Sequence, residues 1–443
     1  MLETGQHERR LRRRVAATWA LLLFNVMPYD KTLSIVPIPN SVGKLIGQAA
    51  LPLALLLALS VNRKLQFRPN VFLCLVSLMA LEAVMTAFAA QYPKGTAFRT
   101  FRVLDFVAVL WLLTPYWGRG RDGLLLLRYY LNSLFFVVCT VVVGFCISPG
   151  KALDNGRLSD IIWPSPSTQV AHYAAVAMGI TVILWFAGLM RGKRAVTIVL
   201  ISFAVLILTH TRTALLAGVV GIVVGGLSLM PTTRRVRKTF AIAVGAALLI
   251  YVAAASAITS WLARGEGTKQ LSNLTGRTDF WGPLLAFPRD RFEMIFGFGL
   301  SNGSFRGLPI DSNWLDAYQD QGLFGATICG LILLFLLVAA FVQVRGVNRA
   351  LVLFFTVYGL VASFTEDGIT NPSPYLLDVA AAASLLVVPV VAQRRSRRAG
   401  LAVPAPSAPA PREALSPAAG PAGLVVPDDE VPSQRAGEIS AGR

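Results

Sequence analysis

The sequence predicts an all-α fold, a polytopic transmembrane helical bundle of about twelve spans with a long, partly helical external loop. Of the 443 residues, 55% are hydrophobic and only 14% are charged, whereas soluble domains carry about 25% charged residues. Apolar runs of about 20 residues, the length that crosses a hydrocarbon core about 30 Å thick, recur along the chain. Basic clusters follow alternate runs, as at the cytoplasmic ends of membrane helices. The net charge of +18 is therefore assigned to topology, and no nucleic-acid partner is predicted.

The order of apolar runs and basic clusters predicts the path of the chain. The predicted spans, with approximate ends, are residues 15–30, 42–61, 70–90, 101–117, 124–147, 169–190, 195–210, 212–230, 239–262, 321–343, 349–366 and 374–392. From a cytoplasmic N-terminus, the basic clusters all fall on the cytoplasmic side, at residues 9–14, 62–68, 118–121, 191–194, 234–238, 345–349 and 394–398. A missed span would invert part of this pattern, so the count and the charges support each other. Both termini are predicted to be cytoplasmic.

Composition divides the chain into three regions. Residues 1–14 form a basic cytoplasmic N-terminus, residues 15–392 the transmembrane domain, and residues 393–443 a cytoplasmic tail rich in proline and alanine. Such a tail cannot bury a core, so it is predicted to be disordered. The external loop at about 263–320 is too long for a connector and is a candidate functional loop. All cysteines lie in apolar runs, so neither a disulfide framework nor a metal site is predicted, and no cofactor is expected.

Several arginines lie in external segments where topology does not require them, namely Arg157, Arg212, Arg277, Arg289, Arg291 and Arg306. Arg212, in "LILTHTRTALLAGVVG", is flanked by apolar runs. Arginine in a bilayer centre costs at least about 2.5–3.5 kcal/mol, so it should face a polar cavity or a partner, unless it snorkels to the interface. No carboxylate lies nearby in sequence, which favours an external anion. His210 is placed to orient this arginine.

Other polar residues admit two interpretations each. Arg277, in "LTGRTDFW", begins a predicted helix, where a helix N-terminus and a guanidinium group suit an anion, or it pairs with Asp279 at the surface. Arg157, in "DNGRLSD", is on sequence alone a solvated loop charge. His172 is predicted to be a hydrogen-bonded packing residue, and Asp367 to lie in an exposed turn.

The segment "GLPIDSNWLDAYQDQGLFG", residues 307–325, sets carboxylates at the start of a span. Asn313 followed by Asp316 resembles a capping box and predicts a helix start. Asp316 and Asp320, four residues apart, share one face of that helix. They form either a solvated acidic turn that favours the helix dipole, or they include a general base beside an arginine-lined anion pocket.

These motifs in order, over about residues 157–390, resemble the O-antigen ligase and O-antigen polymerase superfamily of bacterial envelope proteins. "HTRTALLAGVVG" is similar to the Ser-Arg-type signature that opens a span in that family, and "GRTDFW" to the arginine and aromatic residue of its long external loop. "FGFGLSNGSF" corresponds to its glycine-rich segment. In its last motif, Asp311 stands where the family usually has histidine, Ser312 where it has asparagine, and Asp320 at its acidic residue.

The resemblance implies a metal-independent glycosyltransferase in the cytoplasmic (inner) membrane of a bacterium. It would transfer a glycan from an undecaprenyl-diphosphate-linked donor to a glycan or glycolipid acceptor on the outer face, with inversion. Arg212 and Arg277 would hold the diphosphate, with Arg157 as a third cation, and Asp311 would be the base. Further substrate contacts would come from His210, Ser312, Asn313 and Asp320. Membrane lipid is the remaining expected partner.

Two other functions compete with this one. A polyprenyl-phosphosugar transferase would need paired carboxylates in its first outer loop, where this chain has only Asp30. A transporter or flippase for lipid-linked or anionic substrates would show broken helices with charges at mid-membrane. The predicted spans carry few such charges, chiefly Glu82 and Asp105.

Overall fold

The computed structural model describes residues 2–36, 38–89, 93–120, 123–243, 245, 253, 277–301 and 303–387, and the statements below refer to these residues. The chain is mostly helical, at 74%. The helices are α1 (Leu2–Val26), α2 (Asn40–Val61), α3 (Val71–Ala89), α4 (Pro93–Leu113), α5 (Leu125–Ile147), α6 (Pro149–Ala152), α7 (Ser167–Phe186), α8 (Gly192–Leu208), α9 (Arg212–Leu229), α10 (Arg277–Leu285), α11 (Arg291–Phe296), α12 (Asn313–Val342), α13 (Val347–Ala362) and α14 (Pro374–Leu385). Residues 234–243 are helical as well.

Two short 3-10 helices (Lys31–Leu33 and Thr114–Tyr116), an isolated bridge between Asp160 and Ser165, and two small hairpins accompany these helices. Strand β1 (Leu153–Asp154) pairs antiparallel with β2 (Arg157–Leu158), and β3 (Ser304–Phe305) pairs antiparallel with β4 (Leu308–Pro309). Helices α10 and α11 agree with the predicted partly helical external loop. The predicted tail, residues 393–443, and most of the predicted span at 239–262 lie outside the described residues.

Six of the described helices, α2, α3, α5, α7, α9 and α12, are long and apolar enough to cross a membrane. Helices α13 and α14 are apolar but shorter. In α7, 83% of the apolar window is buried, against 33–44% in the other five, so α7 lies inside the bundle and the others border it. The structure therefore shows a helical protein suited to a membrane, while the total of about twelve spans stays a prediction.

Glycines bring α9 close to α13. A Cβ added at Gly221 would lie 2.9 Å from the Phe354 ring, and one added at Gly225 would lie 2.7 Å from the Ala350 carbonyl oxygen. A Cβ on Gly179 of α7 would overlap with the same Phe354 ring. Small residues at contacts between membrane helices allow such close packing, so Phe354 fills the space between α7 and α9.

A buried polar network joins four helices near α7. The His172 Nδ1 lies 3.0 Å from the Tyr358 hydroxyl, and its Nε2 lies 3.3 Å from Asp378 Oδ2. Tyr130 donates a 2.7 Å hydrogen bond to Asp378 Oδ1. All four residues are buried. His172 is therefore a hydrogen-bonded packing residue, as predicted, and it fixes α7 against α5, α13 and α14.

The loops that the charge pattern predicts to be external meet at one end of the bundle, here called the site end. Asp30 N donates to Pro164 O at 2.8 Å, and Asn313 N donates to Ser363 O at 3.0 Å. At the other end, the Tyr116 hydroxyl donates to Val61 O and Gln343 Nε2 donates to Leu385 O. Segments far apart in sequence thus assemble the site end.

Candidate functional site

Helix α12 is interrupted at Gly322, where φ is 61° and ψ is −158°. The glycine loop (residues 297–301) lies beside the break: Phe298 N donates to Gln319 O at 3.0 Å, and Gly299 N donates to Asp320 O at 2.9 Å. A Cβ on Gly322 would overlap with the Ile295 carbonyl group, and one on Gly297 would overlap with the backbone of Asp320. The two segments approach this closely because both carry glycine where they meet. The loop satisfies carbonyl groups near the interruption, as buried irregular backbone requires.

Arg289 holds the end of the external loop against the first part of α12. Its Nη1 donates to Tyr318 O at 3.1 Å and its Nη2 donates to Gln319 Oε1 at 2.8 Å. The guanidinium group also lies 4.1 Å from the centre of the Tyr318 ring, a favourable cation–π geometry. Arg289, which the sequence predicts to be external without a topological reason for its charge, therefore positions the loop.

Asp316 and Asp320 face inward from the first part of α12, and both are 0% exposed. Asp320 Oδ2 accepts a 2.8 Å hydrogen bond from Ser301 N, and Asp316 Oδ2 accepts one of 3.3 Å from the Thr370 hydroxyl. The predicted solvated acidic turn is therefore wrong. The glycine loop and the loop of residues 363–373 cover both carboxyl groups.

Asp367 and Asp311 complete a group of four carboxyl groups, here called the carboxylate cluster (Asp311, Asp316, Asp320 and Asp367). A Cβ on Gly303 would lie 2.9 Å from Asp367 Oδ2 and 3.3 Å from Asp316 Oδ1. The Asp367 residue is exposed, but its carboxyl group faces these neighbours. Desolvation raises the pKa of Asp367 to about 6, and the charge of Asp311 also raises it. Asp367 is therefore an exposed turn residue, as the sequence predicted, whose carboxyl group belongs to the carboxylate cluster.

The carboxylate cluster does not have the arrangement of a metal site. No group of three or more His, Cys, Asp and Glu residues in the described part of the chain is arranged to hold a metal ion. A guanidinium group compensates part of the negative charge, since the positive charge of Arg99 acts on Asp320.

Two cavities meet at Arg99. The first, about 520 Å³, is here called the aromatic cavity; its lining residues include Phe287, Phe298, Phe305, Ser301, Ser304, Gln319, Arg306 and Arg99. The second, about 620 Å³, is here called the cationic cavity; its lining residues include Lys44, Arg99, Arg102, Asn25, Tyr29, Trp163 and Pro372. A positively charged space and an aromatic space therefore share one arginine beside the carboxylate cluster.

Arg99 and Arg102 are half-buried on α4. Arg99 Nη1 donates to Leu300 O at 3.4 Å, and Arg102 Nη2 donates to Asn25 Oδ1 at 3.4 Å. Neither was among the predicted site residues. The criterion of arginines in external segments could have found Arg99, which precedes the predicted span at 101–117. Arg102 falls at the start of that span and would have required attention to charges within spans.

Arg157 is half-buried rather than solvated. Its Nε donates to Thr209 O and its Nη2 donates to the Thr211 hydroxyl, both at 3.2 Å. It therefore holds the turn before α9, in which His210 has the left-handed φ of 51°. Arg157 is therefore not the solvated loop charge that the sequence predicted. It supports the segment that carries Arg212.

The start of α9 also contacts the loop that carries Asp367. The Thr365 hydroxyl donates a 2.8 Å hydrogen bond to the Thr213 hydroxyl. Arg212, the residue before Thr213, is thus brought to the border of the carboxylate cluster. Neither Arg212, Arg157 nor Asp311 is among the residues that line the aromatic and cationic cavities.

The remaining predicted site residues are Arg277, Ser312 and Asn313, and the structure describes them to different extents. The described part of helix α10 includes Arg277, but the preceding residues and the side chain of Arg277 lie outside the described part of the structure, so the predicted helix start there stays a prediction. Ser312 precedes α12 without a side-chain capping hydrogen bond. Asn313 is buried and its Oδ1 accepts a 2.7 Å hydrogen bond from Ile369 N, so the predicted capping role is wrong. Its side chain instead fixes the 363–373 loop.

Searches of known protein families and of characterised proteins found no match to this chain. Function is therefore inferred from the chemistry of the site end.

Proposed function

We propose that the protein transfers a glycan from an undecaprenyl-diphosphate-linked donor to an acceptor hydroxyl group at the outer face of a bacterial cytoplasmic membrane. The observation that carries this proposal is the pair Arg99 and Arg102 in a cavity that adjoins the carboxylate cluster. The cavity lies at one end of a bundle of apolar helices. A lipid diphosphate needs this combination of cations at the membrane edge and apolar surface below.

The cationic cavity suits the leaving group of such a reaction. Arginine binds phosphate oxygens in a bidentate manner, and Lys44 adds a mobile cation at the cavity edge. As the bond to the sugar breaks, negative charge develops on the diphosphate, and fixed cations stabilise that charge. The resemblance assigns the diphosphate to Arg212 and Arg277. Arg212 does not line the cationic cavity, so it would act from the border of the carboxylate cluster, where Arg157 supports its segment.

The carboxylate cluster supplies candidates for the base. The acceptor hydroxyl proton passes to a carboxylate as its oxygen bonds to the anomeric carbon, and the bond from that carbon to the diphosphate oxygen breaks. The resemblance assigns the base to Asp311. Asp367 lies beside it and is exposed, and with a pKa of about 6 it is suited to accept a proton near neutral pH. Asp316 and Asp320 are buried and hold the loops.

The aromatic cavity is assigned to the acceptor. It combines three phenylalanine side chains with the polar groups of Ser301, Ser304 and Gln319, and ligand sites generally combine apolar walls with few polar groups. Because Arg99 borders both cavities, donor and acceptor would meet beside the carboxylate cluster.

A transporter or flippase is the second candidate, and two observations favour it. Helix α12 is interrupted at Gly322, and ionisable residues are buried among the apolar helices, namely Glu82 and the His172–Asp378 pair. Of these residues, only Glu82 was noted from the sequence as a charge within a predicted span. A polyprenyl-phosphosugar transferase is less favoured, because the Oδ1 atom of Asp30, the candidate carboxylate for that function, accepts from the Thr32 backbone N–H and hydroxyl.

Deletion of the gene in its own bacterium tests the transferase against the flippase. We expect loss of a surface glycan and accumulation of its undecaprenyl-diphosphate-linked precursor in the outer leaflet, where an impermeant lectin labels it. The wild-type chain should restore the glycan, and Asp311→Asn should not, with equal amounts of protein in the membrane. Precursor retained in the inner leaflet would indicate a flippase, and an unchanged glycan would refute transfer.

The raised pKa of Asp367 predicts that both the transfer rate and the stability depend on pH. Its folded-state pKa of about 6 lies above the usual 3.8, so protonation favours the folded state and removes a base. The transfer rate of wild-type protein in vesicles should fall as the pH drops through about 6. Asp367→Asn should lower the rate and flatten that acid limb. It should also raise the thermal unfolding midpoint at pH 8 and have little effect at pH 4, because the penalty for ionising Asp367 develops between its usual pKa of 3.8 and its folded-state pKa of about 6 and is complete above that value.

Asp290 offers a matched control for this pH experiment. It caps α11 through a hydrogen bond to Glu293 N and is exposed at the same end of the bundle. Asp290→Asn should leave the acid limb in place. An acid limb of the same position in wild-type protein and in Asp367→Asn would contradict the role of Asp367.

A further inference from the structure

A third cavity lies at the end of the bundle opposite the site end. It has a volume of about 560 Å³ and is formed by α5, the end of α7, and the segment that leads into α8. Here called the basic pocket, it is lined by Arg128, Arg191, Lys193, Arg194, Asn132, Leu131, Leu184, Leu189 and Met190. Four cations from segments more than sixty positions apart in the sequence therefore converge on one space.

The four cations have no internal counter-ion. In the part of the chain that the structure describes, none of them forms a salt bridge, and no carboxylate is among the lining residues. Arg194 is held in place, since its Nη2 donates a 2.8 Å hydrogen bond to Asn132 Oδ1. All four side chains are exposed, so solvent and salt screen part of their mutual repulsion, and an anion bound among them would lower it further.

The rest of the lining identifies the class of anion. Leu189 and Met190 are half-buried and provide an apolar wall next to the four cations, and Leu131 and Leu184 lie almost fully buried behind it. Free phosphate has nothing to place against such a wall, whereas a phospholipid sets its acyl chains there and its headgroup among the cations. Basic pockets between membrane helices on the cytoplasmic side bind anionic lipid headgroups in this manner.

We propose that the basic pocket is a binding site for an anionic phospholipid, of the phosphatidylglycerol or cardiolipin type. It is distinct from the cationic cavity and does not depend on glycan transfer. Positive charge on this side of the membrane is also expected from topology alone. The neighbouring basic cluster at residues 234–238 differs from the pocket. There, Arg235 donates a hydrogen bond to the Trp185 carbonyl oxygen and lies over the Trp185 ring.

The test is a lipid titration of the detergent-purified full chain, read by native mass spectrometry. Phosphatidylglycerol, phosphatidylcholine and inorganic phosphate are the probes. The variant Arg128→Gln/Arg191→Gln removes two pocket cations and leaves the Arg194–Asn132 hydrogen bond intact. The matched control, Arg234→Gln/Arg237→Gln, removes two exposed charges that do not line the pocket.

Each basic side chain near an anionic lipid strengthens its binding by about fivefold. The pocket variant should therefore bind phosphatidylglycerol about 25-fold more weakly than wild type, and the control should bind it nearly as well as wild type. Phosphatidylcholine should bind weakly to all three. Equal losses in both variants would reduce the site to general surface charge and overturn the proposal. Displacement of the lipid by equimolar inorganic phosphate, or equal binding of phosphatidylcholine, would also overturn it.

Discussion

Replacing Arg99 by glutamine is expected to lower the rate of glycan transfer by about 10²–10³-fold, the loss typical when one fixed group that stabilises developing charge is removed. Arg99 borders both the aromatic and the cationic cavity, so under the proposed function its guanidinium group would lie beside the donor bond that breaks. Arg99→Lys should recover part of the rate, because lysine keeps the charge but loses the planar bidentate contact. The measurement is the initial rate in vesicles that contain the lipid-linked donor.

Arg291→Gln is the control for this experiment. Arg291 is an exposed arginine that begins α11 and does not line either cavity. The Arg291→Gln protein should transfer glycan at the wild-type rate. Arg99 also contacts Leu300 O, so the thermal unfolding midpoint is measured for each variant. A folded Arg99→Gln protein with the wild-type rate would show that the cationic cavity does not hold the donor.

Replacing Gly322 by alanine is expected to destabilise the protein by about 4 kcal/mol or more, a size of effect that arises from backbone strain and core overlap. Gly322 has a φ of 61° and a ψ of −158°, a conformation that is essentially restricted to glycine. The new Cβ would also overlap with the Ile295 carbonyl group. We expect loss of the monodisperse peak on size-exclusion chromatography or a large fall in the unfolding midpoint.

Gly330, in the second part of the same helix, provides the comparison. A Cβ there would meet only the Trp314 ring at an ordinary contact distance of 3.8 Å. Gly330→Ala should therefore be tolerated or slightly stabilising, because alanine favours a helix interior over glycine by about 1 kcal/mol. Equal behaviour of the two variants would mean that the break at Gly322 does not depend on glycine.

The positions of individual apolar helices were predictable from the sequence. Apolar length and composition placed helices near residues 169–190 and 212–230, where α7 and α9 occur, because these signals depend on neighbouring residues only. In contrast, α1 begins at Leu2, well before the predicted span at 15–30. A helix can extend beyond the apolar residues, and hydropathy does not mark where it starts.

The candidate site was harder to predict because it depends on distant segments. Asp316 and Asp320 have the local pattern of an acidic first turn, and only the glycine loop and the 363–373 loop bury them. Asp378 is a single carboxylate in an apolar run, and its partner His172 lies on another helix. Arg99 and Arg102 were missed for a different reason: Arg99 lay in a segment predicted to be external and Arg102 at the start of a predicted span, but neither arginine was weighed.

The order of synthesis gives the 363–373 loop a further importance. Thr370 and Asp367 are translated after α12 and α13, and the loop that carries them is anchored by α14, whose Asp378 reaches His172 and Tyr130. The carboxylate cluster therefore cannot be completed until the last described helix has left the ribosome and inserted. A nascent chain that stops before α14 could hold most of its helices in the membrane and still have no assembled centre.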